Sequence, residues 1–136
     1  MIQVILGKKG SGKTKRLIDL ANDALKVEHG YIVFIDDDKR YMYDLRHEIR
    51  FVDASESDIH NADRFYGMLS GMLSVNFDIT LVFVDAFMKL VNAPAQELEW
   101  LFKKLDELSE AHHVNFVLSL SGDPAEMPEF VTRYAI

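Results

Sequence analysis

The residues with the clearest chemical meaning form the segment GKKGSGKT near the start of the chain, which matches the phosphate-binding loop pattern G-x-x-x-x-G-K-[ST]. Gly7, Gly10 and Gly12 are expected to allow positive φ and to remove side chains, so that backbone N–H groups can surround an anion. In such a loop, Lys13 reaches the β- and γ-phosphates and the Thr14 hydroxyl binds Mg²⁺. The predicted phosphate site is therefore Gly7, Lys8, Lys9, Gly10, Ser11, Gly12, Lys13 and Thr14.

A carboxylate that could hold Mg²⁺ ends the apolar run Ile79–Val84. Asp85 is therefore predicted to bind the ion through water, as the acidic residue of a Walker B strand does. Many hydrolysing P-loop proteins place Glu directly after this Asp to activate water, whereas here the next residue is Ala86. The catalytic base is therefore unknown, and the candidates available in the sequence are Glu97, Asp123 and Glu126.

Further polar residues follow two other predicted strands. Ser119 and Ser121 stand where related ATPases carry a residue that senses the γ-phosphate; alternatively, one caps the strand and the other packs. The pair Asp36 and Asp38 resembles the substrate-binding D-x-D of shikimate-kinase-like phosphotransferases, which implies an acceptor site. An acidic surface loop is the other interpretation of the same residues.

Two features raise the possibility of a homodimer. Lys8 lies five residues before Lys13 and resembles the signature lysine of partitioning-type dimeric ATPases, which crosses to the partner's nucleotide. An ordinary solvated lysine is the alternative. Small residues also recur at helical spacing in the segment after position 58, which indicates either a helix lying tightly on its own sheet or a helix contact between subunits. This small-residue stripe consists of Gly67, Ser70, Gly71 and Ser74.

The elements that must position these residues alternate along the chain, which predicts an α/β fold with a parallel, doubly wound sheet. We expect one domain, residues 1–136, with the three-layer sandwich of P-loop NTPases and a mostly parallel sheet of four or five strands. Strands are predicted at Ile2–Leu6, Tyr31–Ile35, Ile79–Val84 and Val114–Leu120, with a short extra strand at Ile49–Val52. Helices are predicted at Lys13–Val27, Asp58–Val75, Ala95–Ala111 and, briefly, Ala125–Arg133.

Composition excludes several classes of function. The 136 residues include no cysteine, which rules out disulfides, thiolate metal sites and cysteine nucleophiles. A net charge of −7 argues against a nucleic-acid partner, which would require a broad surface of clustered Lys and Arg. No run is long enough to span a bilayer, and a strand at the N-terminus leaves no room for a signal peptide, so a cytoplasmic location is expected. Against this acidic background, positive charge is concentrated in the segment KKGSGKTKR, which suits a triphosphate.

Over its full length the chain resembles a family of short bacterial P-loop proteins, often labelled ATP-binding or twitching-motility PilT-like. The resemblance rests on GKKGSGKTKRLIDLAN, YGMLSGML and FVDAFMKL. It implies an ATP site that uses the loop residues and Asp85. It does not imply motor activity, because motors of that kind are far longer hexamers with a further domain.

The function predicted from the sequence is Mg²⁺-dependent binding of ATP or another nucleoside triphosphate such as GTP. Hydrolysis is expected to be weak or to depend on an unknown protein partner. A small-molecule kinase that uses Asp36 and Asp38 near its acceptor, or a nucleotide-bridged dimeric ATPase that uses Lys8, are the alternatives.

Overall fold

A five-stranded, all-parallel sheet forms the centre of the molecule. The computed structural model describes residues Met1–Ile136. The strands lie in the order β1-β5-β4-β2-β3, so two neighbours in the sheet are not always neighbours in sequence. The predicted α/β class is confirmed, including the fifth strand. The strands are β1 (Ile2–Gly7), β2 (Tyr31–Asp36), β3 (Arg50–Asp53), β4 (Ile79–Val84) and β5 (Asn115–Ser121).

Five α-helices connect and cover the strands, and four short 3₁₀ helices lie between them. The α-helices are α1 (Lys13–Ala24), α2 (Ala62–Val75), α3 (Phe87–Val91), α4 (Glu99–His112) and α5 (Glu129–Thr132). The 3₁₀ helices are Met42–Asp44, Ala54–Ser57, Ala95–Glu97 and Pro124–Glu126. No helix has the length and apolar character needed to cross a membrane.

Several predicted helix boundaries were wrong for local reasons. The helix expected from Asp58 begins only at Ala62, because Asp58 is left-handed with φ 56° and Asn61 provides the N-cap, accepting a hydrogen bond from the Arg64 N–H at 2.8 Å. The final predicted helix is broken by Pro128 into a 3₁₀ turn and the short helix α5. Helix α3 was not predicted at all, since five residues are too few to show a helical period.

The sheet separates two hydrophobic cores, which makes the molecule three layers thick. Helix α1 covers one face through Leu17, Ile18 and Ala21. Helices α2 and α4 pack on the other face. Because side chains alternate along a strand, Phe34 and Phe83 both point toward α1, where their rings stack with centroids 6.2 Å apart. The residues two positions further along β2 and β4 must therefore face α1 as well.

The small-residue stripe on α2 does not contact the sheet. The buried residues of this helix are Phe65, Leu69 and Leu73. Gly67 and Gly71 are exposed, and a Cβ atom added at either would meet no heavy atom within 4 Å. The interpretation of the stripe as close helix–sheet packing was therefore wrong.

Candidate functional site

The register of the sheet places three polar side chains in one row. Val84 pairs with Leu118 on one side and with Ile35 on the other. One residue further along each strand, Asp85 therefore stands between Ser119 and Asp36. All three lie two positions after apolar residues that face α1, so the row faces α1 too. The residues that could do chemistry are thus gathered where the strands end and the loop before α1 begins.

The phosphate-binding loop connects β1 to α1, as the motif predicts. Gly10 and Gly12 have φ of 82° and 87°, a conformation that side chains disfavour. Gly7 does not, so the expectation of positive φ there was wrong. Instead, a Cβ atom at Gly7 would lie 2.6 Å from the Ser11 Oγ. Glycine at this position therefore leaves room for the Ser11 side chain, which a larger residue would force to move.

Lys13 is held by the loop itself. Its Nζ donates a hydrogen bond to the Lys8 carbonyl oxygen at 2.9 Å, and the Ser11 N–H donates to the same oxygen at 3.1 Å. Burial lowers the pKa of Lys13, and the charge of Asp85 partly opposes this effect. The ammonium group therefore has a weak neutral partner that phosphate oxygens can replace.

Both oxygens of the Asp85 carboxylate accept hydrogen bonds from hydroxyl groups. Thr14 Oγ1 donates to Oδ2 at 2.9 Å, and Ser119 Oγ donates to Oδ1 at 2.5 Å. Asp85 is only 6% exposed. A carboxylate and a hydroxyl oxygen in direct contact fit Mg²⁺, which prefers oxygen ligands and takes few from the protein when phosphates supply the others. Thr14 and Asp85 are therefore the residues that would hold the ion.

Asp36 is a buried carboxylate that sequence reasoning placed in an acceptor site or a surface loop. It is 3% exposed, and its Oδ1 accepts a hydrogen bond from the Asp37 N–H at 2.7 Å. Burial raises the pKa of Asp36 to about 8, and the carboxyl groups of Asp37 and Asp85 add to this effect. A raised pKa of this origin in a cleft is typical of functional sites.

A cavity of about 980 Å³ joins these groups. It extends from the phosphate-binding loop, along α1, to the segment after β2, where Arg40 and Tyr41 line it. Lys8 and the predicted base candidates do not line it, so the structure brings none of Glu97, Asp123 and Glu126 to the site. The predicted residues that line it are Lys9, Gly10, Gly12, Lys13, Thr14, Asp36, Asp38, Asp85, Ser119 and Ser121.

No protein-family model and no curated protein matches the chain in sequence. In structure it is similar to the flagellar accessory protein FlaH from Methanocaldococcus jannaschii, with a TM-score of 0.58 and 12% identity over 97% of this chain and 65% of that one. It is also similar to domain III of the replication initiation protein DnaA from Thermotoga maritima, with a TM-score of 0.51 and 18% identity. That match covers 98% of this chain and 50% of the other.

These similarities show a P-loop NTPase-like fold. The chain spans less than two thirds of the length of either solved chain. Membership in the short bacterial family, and formation of a homodimer through Lys8, stay predictions.

Proposed function

We propose that the protein binds a Mg²⁺–nucleoside triphosphate, ATP or GTP, and hydrolyses it slowly unless a partner protein supplies what the site lacks. One observation carries this proposal. The Thr14 hydroxyl, at the end of a complete phosphate-binding loop, is hydrogen-bonded to the buried carboxylate of Asp85. The motif residue for Mg²⁺ and the acidic residue for Mg²⁺ are distant in sequence, yet they meet beside the phosphate site.

Binding would proceed by exchange of partners within the loop. The backbone N–H groups around Gly10 and Gly12 would surround the phosphates, aided by the positive end of α1. Lys13 would leave the Lys8 carbonyl for phosphate oxygens, a charge-assisted and therefore stronger hydrogen bond. Bound Mg²⁺ supplies positive charge that offsets the negative charge of the phosphates.

Slow turnover is expected because the residue directly after Asp85 is Ala86 and not a carboxylate that could activate water. The carboxylate beside Asp85 in space is Asp36, and we propose it as the group that orients the attacking water. With a pKa of about 8 it is largely protonated near neutral pH in the nucleotide-free protein. A protonated carboxyl is a weaker hydrogen-bond acceptor than a carboxylate, which favours a low intrinsic rate.

The test is a thermal shift measurement with and without Lys13→Ala. Mg²⁺ with ATP or GTP at a hundredfold excess over the Kd should stabilise the wild type by about 2.7 kcal/mol. For a chain of this size, that stabilisation raises the melting temperature by about 5 to 10 °C. Lys13→Ala should lose most of this shift while its nucleotide-free form melts normally, because the Lys13 ammonium contacts only a carbonyl in the absence of ligand. An equal shift in the variant would remove the assignment of the site.

A small-molecule kinase is the second candidate, and the extent of the cavity favours it. The space continues past Asp85 to Asp36, Asp38, Arg40 and Tyr41, so it could receive an acceptor beside the predicted phosphate site. A kinase would transfer phosphate to an acceptor, and either Asp36→Asn or Asp38→Asn would abolish transfer while leaving nucleotide binding intact. Release of inorganic phosphate as the sole product, whatever metabolites are supplied, would exclude the kinase.

A further inference from the structure

We infer that Ser119 is a positioning residue that holds the Asp85 carboxylate in place for Mg²⁺, and that it does not sense the γ-phosphate. This inference rests on the proposed Mg²⁺–nucleotide function. It concerns how that site is built, and it assigns different roles to the two serines at the end of β5.

Ser119 is buried and its hydroxyl group is hydrogen-bonded to the Asp85 carboxylate, so it can fix the orientation of that group. The residue is 3% exposed, and its Oγ lies 2.5 Å from the Asp85 Oδ1. The other carboxylate oxygen, Oδ2, faces the Thr14 hydroxyl at 2.9 Å. One oxygen is thus held from the sheet side and the other faces the predicted ion. A carboxylate held in this way keeps its orientation without a ligand, which lowers the cost of binding the ion.

The sheet order explains why a residue of β5 can play this part. Strand β5 lies between β1, which leads into the phosphate-binding loop, and β4, which leads into Asp85. Ser119 pairs with Ile5 on one side and follows Leu118, the partner of Val84, on the other. Its side chain therefore reaches Asp85 across the spacing of one strand. Strands β5 and β4 are both internal to the sheet, and strands hold a site more precisely than loops do.

A serine hydroxyl has a single hydrogen to donate, and in Ser119 that hydrogen is committed to Asp85. A phosphate oxygen can only accept hydrogen bonds, so Ser119 cannot serve it without releasing the carboxylate. Ser121 differs. It lies two residues further along β5, is exposed, and lines the same cavity. If either serine senses phosphate, it is Ser121.

The experiment compares Ser119→Ala with the matched control Ser121→Ala, which removes a hydroxyl from the same strand. The readout is the Mg²⁺ midpoint, which is the free Mg²⁺ concentration that gives half of the full thermal shift at a fixed, saturating concentration of ATP. Ser119→Ala should raise this concentration by about 10-fold or more, the usual loss when a support of a metal ligand is removed. The shift produced by ATP in EDTA should stay unchanged, because the loop and Lys13 are intact. Ser121→Ala should leave the Mg²⁺ midpoint at the wild-type value, because Asp85 accepts its hydrogen bond from Ser119 and not from Ser121. If Ser121 contacts phosphate, its loss should instead reduce the shift produced by ATP in EDTA.

Ser119→Thr, which keeps the hydroxyl, should restore a Mg²⁺ midpoint close to wild type and provides a second variant if Ser119→Ala does not fold. The inference is overturned if Ser119→Ala has the same Mg²⁺ midpoint as the wild type. It is overturned as well if Ser119→Ala loses the ATP-induced thermal shift in EDTA to the same extent as the shift with Mg²⁺. It is also overturned if Ser121→Ala, rather than Ser119→Ala, moves the midpoint. A wild type with no nucleotide-induced shift at all would instead refute the proposed function, so the two failures are distinguishable.

Discussion

At the scale of single residues, the site contains two neighbouring buried carboxyl groups whose ionisation is unfavourable in the absence of ligand. Asp36 and Asp85 end neighbouring strands, and both are almost fully buried. Burial is the main reason why the pKa of Asp36 rises to about 8, and the nearby charge of Asp85 adds to the effect. A stable fold gains nothing from this arrangement, whereas a site that receives a cation or positions a water does.

Asp36→Asn should therefore stabilise the nucleotide-free protein, by an amount that grows with pH. The pKa of Asp36 is higher in the folded protein than its ordinary value of 3.8, so the contribution of Asp36 to wild-type stability falls as pH rises from about 4 to 8. Asparagine cannot ionise and keeps an oxygen for the Asp37 N–H, so the variant escapes this loss. Melting temperatures in EDTA from pH 5 to 8 provide the measurement.

Asp38→Asn is the control for this series. Asp38 is only half-buried, and its Oδ1 accepts a hydrogen bond from the Arg40 N–H that asparagine can also accept. The difference between Asp36→Asn and wild type should widen with pH by more than the corresponding difference for Asp38→Asn, because the carboxyl group of Asp36 is the more deeply buried of the two. A constant difference for Asp36→Asn would show that Asp36 ionises normally in the folded protein.

At the scale of elements, local residues fix where each helix begins and ends. Whether a boundary could be predicted from the sequence depends on whether those residues form a recognisable motif. The start of α1 was predictable because the loop motif leads into it. The start of α2 was not, since it depends on the left-handed Asp58 and the Asn61 cap. The strands could be predicted from apolar runs in the sequence. Which strands are neighbours in the sheet could not, because that depends on long-range packing.

The stripe on α2 gives a test of element packing. Gly67→Ala and Gly71→Ala should each stabilise the protein by up to about 1 kcal/mol, because alanine favours a helix interior and the added Cβ meets nothing. That corresponds to a rise of about 2 to 4 °C in melting temperature for 1 kcal/mol. Gly30→Ala should have the opposite effect, since its Cβ would lie 2.4 Å from the Asp78 carbonyl oxygen. Destabilisation by Gly67→Ala would instead indicate that a contact of a second copy covers this face.

At the scale of the whole molecule, strand order assembles the site. The phosphate-binding loop and the acidic residue after β4 were both recognisable in the sequence, as was the parallel sheet that carries them. The row formed by Ser119, Asp85 and Asp36 was not, because each lies on or directly after a different strand and only the order β5-β4-β2 makes them neighbours.

The same assembly predicts the rate of the isolated protein. With the phosphate site complete but no carboxylate directly after Asp85, turnover should lie nearer about 10⁻⁴ to 10⁻² s⁻¹ than the roughly 1 to 100 s⁻¹ of kinases. Asp85→Asn should lower it further. Ala86→Glu should raise it, because Ala86 lines the cavity. Phosphate release from highly purified protein is the measurement, and steady turnover above about 1 s⁻¹ without a partner would contradict the prediction.

The central claim is that a Mg²⁺–nucleotide binds at the loop from Gly7 to Thr14. Titration calorimetry with slowly hydrolysed analogues of ATP and GTP, on wild type and on Lys13→Ala, tests it most directly. We predict saturable binding of one nucleotide per wild-type chain, with a lower Kd in the presence of Mg²⁺ than in EDTA. Binding to Lys13→Ala should be much weaker under the same conditions. Absence of binding to the wild type with both analogues, or undiminished binding to Lys13→Ala, would contradict the claim.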